Sequence, residues 1–300
     1  MEATENCRMA DFKIGDIVAR KSYGCDVFFK IVDIQKSEDG SNLITLKGIS
    51  YRIEADAPEN DLESQPEHRV NEYRDQCCRL ADKNCRETAQ APRFRGYPKK
   101  AYYRDTPKEN AGKFQQPGKV LHLDGDNDYL GTCLGEYLKL GMNVTGRFVP
   151  EKEQPAQVYG LLQEFRPDIL VLTGHDGFIK GRDSYTNLSN YRNSRYYIEA
   201  VKEARRYDAD MDRLVIFAGA CQSLYFEIIK AGANFASSPF RDLIHALDPV
   251  KVCQKVAFSG IEKVLTPEEV IENTITGKAG IGGVQTRGKF REGFPAEPYQ

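Results

Sequence analysis

The sequence contains no tryptophan, only four histidines and no long apolar run. Its longest apolar stretches, residues 169–173 and 214–220, are far shorter than the roughly 20 residues that a transmembrane helix requires. The N-terminus also lacks a basic segment followed by an apolar one, which a secretory signal would need. We therefore expect a protein of the cytoplasm with no membrane partner.

Eight cysteines are spread over the 300 residues, and none belongs to a CxxC pair or a Cys/His ladder with the spacing of a zinc site. Disulfide frameworks are typical of short, cysteine-dense chains, so we expect reduced thiols. The glycine-rich segment 277–288 lacks the lysine and hydroxyl residue that end a phosphate-binding loop. The sequence thus gives no signal for a bound metal ion or nucleotide.

Hydrophobic residues make up 40% of the chain and charged residues 29%, as in soluble globular proteins. The formal net charge of -2 conceals a split, because residues 67–119 are basic whereas the parts before and after them are acidic. Composition and charge together predict three parts: a small domain over residues 1–62, a connector over 63–118 and a large domain over 119–300.

Residues 12–54 contain short runs of β-forming residues separated by turn residues. The runs span residues 15–20, 26–34, 42–46 and 50–53. The segment Phe12–Val18 resembles the first strand of SH3-like barrels, where a Gly-Asp turn leads into a valine-rich strand. We therefore predict an SH3-like β-barrel over residues 1–62.

The connector combines a helix with a basic linker. Residues 64–67 have the spacing of a capping box with proline in the first turn, and they predict a helix of about 25 residues. Residues 91–118 then combine prolines, glycines and basic residues with little periodicity, which indicates an exposed linker. Arg93, Arg95 and Arg104 lie in this linker, where a chain is most easily cut.

From residue 119 onward, apolar runs that end in glycine or aspartate alternate with helical patterns. The runs span residues 120–124, 143–149, 169–174 and 214–219, and the helical patterns lie near 129–140, 155–165, 194–207 and 223–231. Such alternation is typical of an α/β fold with a parallel sheet and helices on both faces. Functional residues are then expected at the carboxyl ends of the strands.

Two of these strand ends carry residues with catalytic chemistry. His175 lies just beyond the third run, and Cys221 lies at the equivalent point beyond the fourth. A thiol needs a base or an imidazolium partner to become a nucleophile at neutral pH, and histidine suits that role. Taken singly, each is more often a core residue. Neighbouring parallel strands would bring both together, and we therefore predict a dyad of Cys221 and His175.

The backbone around the dyad also suits acyl transfer. We expect Cys221 to lie at the start of a helix, where the positive end of the helix favours negative charge. The backbone N–H groups of Asp176, Gly177 and Cys221 are the candidates for an oxyanion hole. Peptide hydrolysis through a thioester needs neither a metal ion nor an organic cofactor, and none is expected.

These residues carry a family resemblance. An apolar block ending in His-Gly, followed by one ending in Ala-Cys, resembles the signature of caspase, gingipain and clostripain type cysteine peptidases. The second half is present here, whereas Asp176 separates His175 from Gly177. Taken with Phe12–Val18, the two segments make nearly the whole chain similar to the YabG family of sporulation-specific proteases. The resemblance implies a caspase-like peptidase domain, with His175 as general base or acid and Cys221 as nucleophile.

The resemblance also implies substrates. It predicts an enzyme of the mother-cell cytoplasm, associated with the forming spore coat, that processes coat and related precursor proteins after basic residues, above all arginine. A preference for arginine calls for a carboxylate in the S1 pocket, because a buried guanidinium must be paired. Asp124 and Asp126, at the end of the first strand of this domain, are the candidates. Such an enzyme is further expected to cut itself in the linker that holds Arg93, Arg95 and Arg104.

Two other interpretations stay open. Residues 120–126 match the opening of haloacid-dehalogenase-type phosphatases, with Asp124 as nucleophile and Asp126 as proton donor. The later strand end, however, carries Cys221 where those enzymes need acidic magnesium ligands. Alternatively, the barrel and the basic linker form a coat-assembly or nucleic-acid-binding module, because cations and aromatic residues interleave there. A solvated linker explains that composition more simply, so we expect no nucleic-acid partner.

Overall fold

The computed structural model describes residues 12–36, 42–76, 114–179 and 181–294. The chain divides into two compact units, Met1–Leu80 and Ala81–Gln300. Most of the predicted linker, including Arg93, Arg95 and Arg104, lies outside the described residues. The division of the chain into a barrel, a connector and a peptidase domain therefore stays a prediction.

The N-terminal unit is built on an antiparallel sheet of five strands. In chain order these are β1 (Ile17–Arg20), β2 (Phe28–Lys36), β3 (Asn42–Gly48), β4 (Glu54–Pro58) and β5 (Leu62–Ser64). They are arranged in the order β4-β3-β2-β1-β5. The side chains of Val18, Ile31, Ile44 and Leu46 form a core without exposed surface, as the alternation along each strand requires.

Three of the four predicted β-runs coincide with β1, β2 and β3, and the fourth is displaced. Residues 50–53 form a turn in which the Gly48 N–H donates to Ile53 O at 2.9 Å, so β4 begins only at Glu54. The helix α1 comprises residues 67–76 and begins after Pro66 rather than at Ser64, which instead ends β5. The rest of the predicted helix lies outside the described residues.

The C-terminal unit holds a sheet of six strands in the order β13-β11-β10-β9-β7-β8. The strands of this unit are β6 (Phe114–Gln116), β7 (Val120–Asp124), β8 (Val144–Phe148), β9 (Ile169–Thr173), β10 (Val215–Ala218), β11 (Phe235–Ser237), β12 (Val264–Leu265), β13 (Ile281–Gly283), β14 (Thr286–Arg287) and β15 (Arg291–Gly293). Five strands of the sheet run parallel, and β13 pairs antiparallel with β11. β6 with β15 and β12 with β14 form two further antiparallel pairs.

Helices cover both faces of this sheet. They are α2 (Asn127–Lys139), α3 (Gln154–Phe165), α4 (Ser194–Tyr207), α5 (Tyr225–Lys230), α6 (Asp248–Ala257) and α7 (Pro267–Ile271). One apolar cluster joins the sheet to α2, α6 and α7, and a second joins it to α3, α4 and α5. The strands β7, β9 and β10 are buried along their whole length because both faces are covered, and this explains their continuous apolar character.

The predicted α/β fold with helices on both faces of a mostly parallel sheet is confirmed. The four predicted runs match β7 to β10 within a residue or two, and the four helical patterns match α2 to α5 equally well. The short strands β11 and β13 were not predicted, because strands of three residues carry too little pattern to identify. In the described part of the chain, no helix has the length and apolar character that crossing a bilayer requires.

Candidate active site

Three neighbouring strand ends bring the predicted site residues to one edge of the sheet. β9 lies between β7 and β10, and all three run parallel, with Asp124 opposite Thr173 and Leu172 opposite Ala218. His175 follows the end of β9 by two residues, and Cys221 follows the end of β10 by three. Both residues therefore follow the ends of adjacent strands, as the sequence led us to expect.

His175 is held by a carboxylate from the neighbouring strand end. Its Nε2 lies 2.8 Å from Asp126 Oδ2, and its side chain keeps 16% of its surface exposed. The ring also packs against Tyr129, with the ring centroids 5.6 Å apart. A carboxylate in this position fixes the orientation of an imidazole and stabilises its protonated form.

Asp126 is itself fixed by the start of a helix. It is the N-cap of α2, and its Oδ1 accepts hydrogen bonds from the backbone N–H groups of Asp128 and Tyr129 at 2.9 and 3.0 Å. Aspartate is among the best N-cap residues because it satisfies these otherwise unbonded donors. One carboxylate thus starts α2 with one oxygen and holds His175 with the other.

The backbone of His175 is anchored on both sides. Its N–H donates to Glu151 Oε1 at 2.6 Å, and its carbonyl oxygen accepts hydrogen bonds from Asn193 Nδ2 at 2.9 Å and from Tyr197 Oη at 3.2 Å. The Glu151 carboxylate lies so close to Gly174 that a Cβ there would overlap it. The loop after β9 is therefore set in place by the loop after β8 and by the start of α4.

Cys221 lies in a tight turn after β10. The residue is 2% exposed, and its Sγ accepts a hydrogen bond from the Ile244 backbone N–H at 3.2 Å. The turn places Gly219 at φ 109° and Gln222 at φ 60°, in the left-handed region. The predicted helix start at Cys221 is wrong, because α5 begins only at Tyr225. The backbone N–H of Ile244, rather than a helix end, is the donor that contacts the sulfur.

Asp176 links the histidine loop to the cysteine loop. Its Oδ2 accepts hydrogen bonds from Ser194 Oγ and from Ser223 Oγ, the latter at 2.9 Å, and its Oδ1 accepts from the Asn193 N–H at 2.8 Å. Ser223 Oγ in turn accepts from the Ala220 N–H at 2.9 Å. Burial raises the pKa of the Asp176 carboxyl, although these donors act in the opposite direction. The residue that interrupts the His-Gly signature thus ties both loops to α4.

The described hydrogen bonds bear on the predicted oxyanion hole. The Gly177 N–H donates to Asp176 Oδ1 at 2.8 Å, and the Phe178 N–H donates to Gln222 Oε1 at 3.4 Å. An N–H that is already bonded within the protein is a weaker candidate for an oxyanion donor. The Gly177 N–H is therefore a weaker candidate than the sequence suggested, and the oxyanion hole stays a prediction.

Asp124 and Asp126 both lie at the predicted strand end, but they face inward. Asp124 has no exposed surface, and its carboxylate accepts hydrogen bonds from Thr173 Oγ1 at 3.0 Å and from the Asp126 N–H at 3.0 Å. Asp126 faces His175. A buried and bonded carboxylate is poorly placed to meet a substrate guanidinium or to attack a phosphate ester. The geometry favours positioning roles for both, and their S1 role stays a prediction.

Comparison with known proteins places this site in a family. The sequence profile described as YabG peptidase U57 matches residues 13–295. The chain belongs to the YabG peptidase family. It is 41% identical over 284 residues to the sporulation-specific protease YabG of Bacillus subtilis (strain 168), an alignment that covers 95% of this chain and 98% of that protein. The resemblance drawn from the sequence is thereby confirmed, and membership of the YabG family makes the chain a peptidase.

The sequence did not identify Glu151, Ser194 or Asn193 as parts of the site. Glu151 comes three residues after the end of β8, which is a neighbour of β7. The rule that functional residues follow the carboxyl ends of parallel strands therefore applies to Glu151 as well. Ser194 and Asn193 stand at the start of α4, where polar residues are ordinary capping residues. Their contact with Asp176 depends on tertiary packing and leaves no local signal.

Proposed function

We propose that this peptidase is a cysteine endopeptidase of sporulation, with Cys221 as nucleophile and His175 as general acid and base. One observation carries the proposal: His175 is held at 2.8 Å by Asp126, and it follows the strand next to the one that Cys221 follows. A thiol and a histidine oriented by a carboxylate are the groups that nucleophilic acyl transfer needs. Asp126 acts as a positioning residue in this proposal.

The reaction would proceed in two steps. Cys221 Sγ forms a bond to the carbonyl carbon of the scissile peptide while its proton passes to His175, which then protonates the leaving amine as the C–N bond breaks. Water attacks the resulting thioester and gives a proton to His175; the C–S bond breaks, the acid leaves and the thiol is restored. Because Nε2 faces Asp126, Nδ1 is the ring nitrogen that exchanges these protons.

The environment of the dyad supports this chemistry. The imidazolium formed in each step would be stabilised by the carboxylate of Asp126. The oxyanion of each tetrahedral intermediate would lie against the backbone N–H groups of Asp176 and Cys221. The hydrogen bond from Ser223 Oγ to Asp176 helps to hold the turn that carries Cys221, in which Gln222 is left-handed.

The finer assignments are proposals too. We infer that the substrates are spore coat and related precursor proteins, cut after arginine in the mother cell, because the resemblance that predicted the family also implies them. Within this proposal the larger unit is a caspase-like domain. The consecutive antiparallel pairing of β1 to β4, with β5 added beside β1, is the strand order on which we base an SH3-like barrel at the N-terminus.

The test is hydrolysis of short fluorogenic peptides that end in Arg, Lys, Asp or Leu by the wild type, Cys221→Ala and His175→Ala. We expect cleavage after arginine and a loss of kcat of at least about 1,000-fold in both variants. Cys25→Ala is the matched control, since Cys25 is a half-buried free thiol of the N-terminal unit. Peptidase activity that survives Cys221→Ala would overturn the assignment of the nucleophile.

Self-processing has its own test. The intact mass of the purified wild type and of Cys221→Ala would be compared after incubation, since only the wild type should cut at Arg93, Arg95 or Arg104. Substitution of all three by glutamine should then leave the wild-type mass whole. Identical fragmentation of the wild type and Cys221→Ala would show that another protease makes the cuts.

A further inference from the structure

An arginine side chain of the protein occupies an aromatic cluster beside the candidate active site. The guanidinium carbon of Arg241 lies 3.5 Å from the ring centroid of Tyr185 and 4.9 Å from that of Phe178. The two rings lie 4.7 Å apart, and Tyr191 packs edge-on against Phe178 at 5.4 Å. Aromatic faces attract cations, and the planar guanidinium stacks on them particularly well.

This cluster borders both loops of the proposed dyad. Phe178 lies three residues after His175, and its N–H donates to the side chain of Gln222, the residue after Cys221. The loop that carries Arg241 is bound to the same turn, because the Gln222 N–H donates to Ser238 Oγ at 3.0 Å. A substrate side chain that takes the place of Arg241 against Phe178 and Tyr185 would therefore lie near the loops that carry His175 and Cys221.

Both the backbone conformation and the side-chain bonding of Arg241 are unfavourable for folding. Its backbone has φ 64°, and Ser238 in the same loop has φ 69°; both lie in the left-handed region that non-glycine residues rarely adopt. Within the described residues, its buried Nε has no hydrogen-bond partner. Strained backbone and unsatisfied polar atoms cluster at functional sites. The aromatic faces supply the attraction that holds the guanidinium in place.

We propose that Phe178 and Tyr185 form the S1 subsite for the arginine of the substrate, and that Arg241 occupies this subsite in the free enzyme. The proposal rests on the proposed function, and it names the groups that select the substrate. Asp124 and Asp126 face inward, so recognition would come from aromatic stacking. The substrate arginine must displace Arg241, so its apparent dissociation constant is the intrinsic one divided by the fraction of enzyme in which the subsite is open.

The kinetic test uses peptides that end in Arg and in Leu. In Arg241→Ala and Arg241→Gln we expect KM for the arginine peptide to fall by about tenfold while kcat stays within about twofold. In Tyr185→Leu we expect KM for the arginine peptide to rise by about tenfold or more, and that for the leucine peptide to change little. Arg182→Ala is the matched control, since Arg182 is an exposed arginine between Phe178 and Tyr185 in the chain.

A binding test does not depend on catalysis. The fluorescent amidine p-aminobenzamidine would be titrated into Cys221→Ala, Cys221→Ala with Arg241→Ala, and the latter combined with Tyr185→Leu. We expect affinity to rise about tenfold in the second protein and to be lost in the third. Equal affinity in the first two proteins, or an unchanged KM in Arg241→Ala, would overturn the subsite. If the amidine binds as expected but no peptide is cut, the proposed function fails and the subsite stands.

Discussion

Asp126 Oδ2 lies 2.8 Å from His175 Nε2, while Oδ1 of the same carboxylate caps α2. The orientation of the histidine is therefore coupled to the start of a helix that packs against the sheet. A side chain with two fixed partners has little rotamer freedom left, which is how a site on loops acquires the precision of a site on regular elements. The two roles of Asp126 can be separated experimentally, because asparagine at this position preserves the helix cap and removes the charge.

We expect Asp126→Asn to lower kcat by about 100-fold or more with a small effect on KM, because the amide cannot stabilise an imidazolium. Asparagine is as good an N-cap as aspartate, so the thermal midpoint should change little. Asp126→Ala should lose the same activity and, in addition, about 1 kcal/mol of the free energy of unfolding. Steady-state kinetics and calorimetry of both variants separate the two tasks.

Asp128→Asn is the matched control, since Asp128 is an exposed aspartate in the first turn of the same helix. It should keep kcat and KM close to those of the wild type. Full activity in Asp126→Asn would mean that the carboxylate caps the helix without serving the histidine.

The contact between Glu151 and Gly174 predicts a steric effect on activity. In Gly174→Ala the new Cβ would overlap the carboxylate that accepts the His175 N–H, so we expect kcat to fall about tenfold or more. The double variant Gly174→Ala with Glu151→Ala should still have a lower kcat than the wild type. Its loss of kcat should be smaller than the losses of the two single variants combined, because the overlap is removed. The four proteins form a double-mutant cycle measured by kcat and thermal midpoint.

Gly131→Ala tests the same replacement where nothing is in the way. Gly131 lies on the exposed side of α2, and a Cβ there meets no atom within 4 Å. Alanine should stabilise the helix by about 0.5–1 kcal/mol and leave kcat unchanged. Additive losses in the Gly174→Ala and Glu151→Ala pair would show that the two residues act separately.

The sequence predicts candidate site residues where side chains with catalytic chemistry follow a strand end. It points to His175, Cys221, Asp124 and Asp126 because parallel strands place their carboxyl ends at one edge of the sheet, a rule that needs only the strands. The partner of His175 could not be predicted in this way. Whether Asp126 faces the histidine or a substrate depends on its rotamer, and the cap of α2 sets that rotamer only in the folded chain.

The same limit applies to the links between loops. Asp176 contacts Ser194 and Ser223, which lie 18 and 47 residues further along the chain. Such contacts follow from packing of α4 beside the turn after β10, and single-sequence patterns describe only neighbours within a helix or a strand. The departure from the His-Gly signature was visible in the sequence, but its structural role required the three-dimensional arrangement.

Arg205 supplies a stability prediction away from the site. Its guanidinium donates to Gly232 O at 2.7 Å, to Leu214 O at 2.8 Å and to Asn234 Oδ1 at 2.7 Å, and burial lowers its pKa to about 10. These acceptors are reached from Nε, Nη1 and Nη2 respectively, and the single nitrogen of a lysine cannot take the place of all three. We expect Arg205→Lys to lower the free energy of unfolding by about 2–4 kcal/mol, measured by urea denaturation, with kcat unchanged.

Its neighbour on α4 provides the control. Arg206 is exposed and pairs only with Glu203 at 2.6 Å among the ion pairs of the described residues, so Arg206→Ala should leave the urea midpoint nearly unchanged. A similar loss of stability in both variants would show that the loss in Arg205→Lys is not specific to the three buried hydrogen bonds.

The raised pKa of Asp176 predicts how stability depends on pH. Between the ordinary pKa of a carboxyl and the raised one, the unfolded chain releases a proton that the folded protein keeps, so this group lowers the stability of the wild type as pH rises. Asparagine does not titrate. The thermal midpoint of Asp176→Asn minus that of the wild type should therefore increase from about pH 4 to pH 7, whatever the offset caused by altered hydrogen bonds.

Ser223→Ala sharpens the test, because it removes one hydroxyl that donates to the Asp176 carboxylate. With one donor fewer, the charged form is less favoured, and the stability of Ser223→Ala should fall more steeply with pH than that of the wild type. Calorimetric scans of the three proteins at matched ionic strength measure both slopes. If the midpoint of Asp176→Asn minus that of the wild type decreases with pH instead, the donors outweigh burial, and Asp176 links the loops that carry His175 and Cys221 as a stable carboxylate.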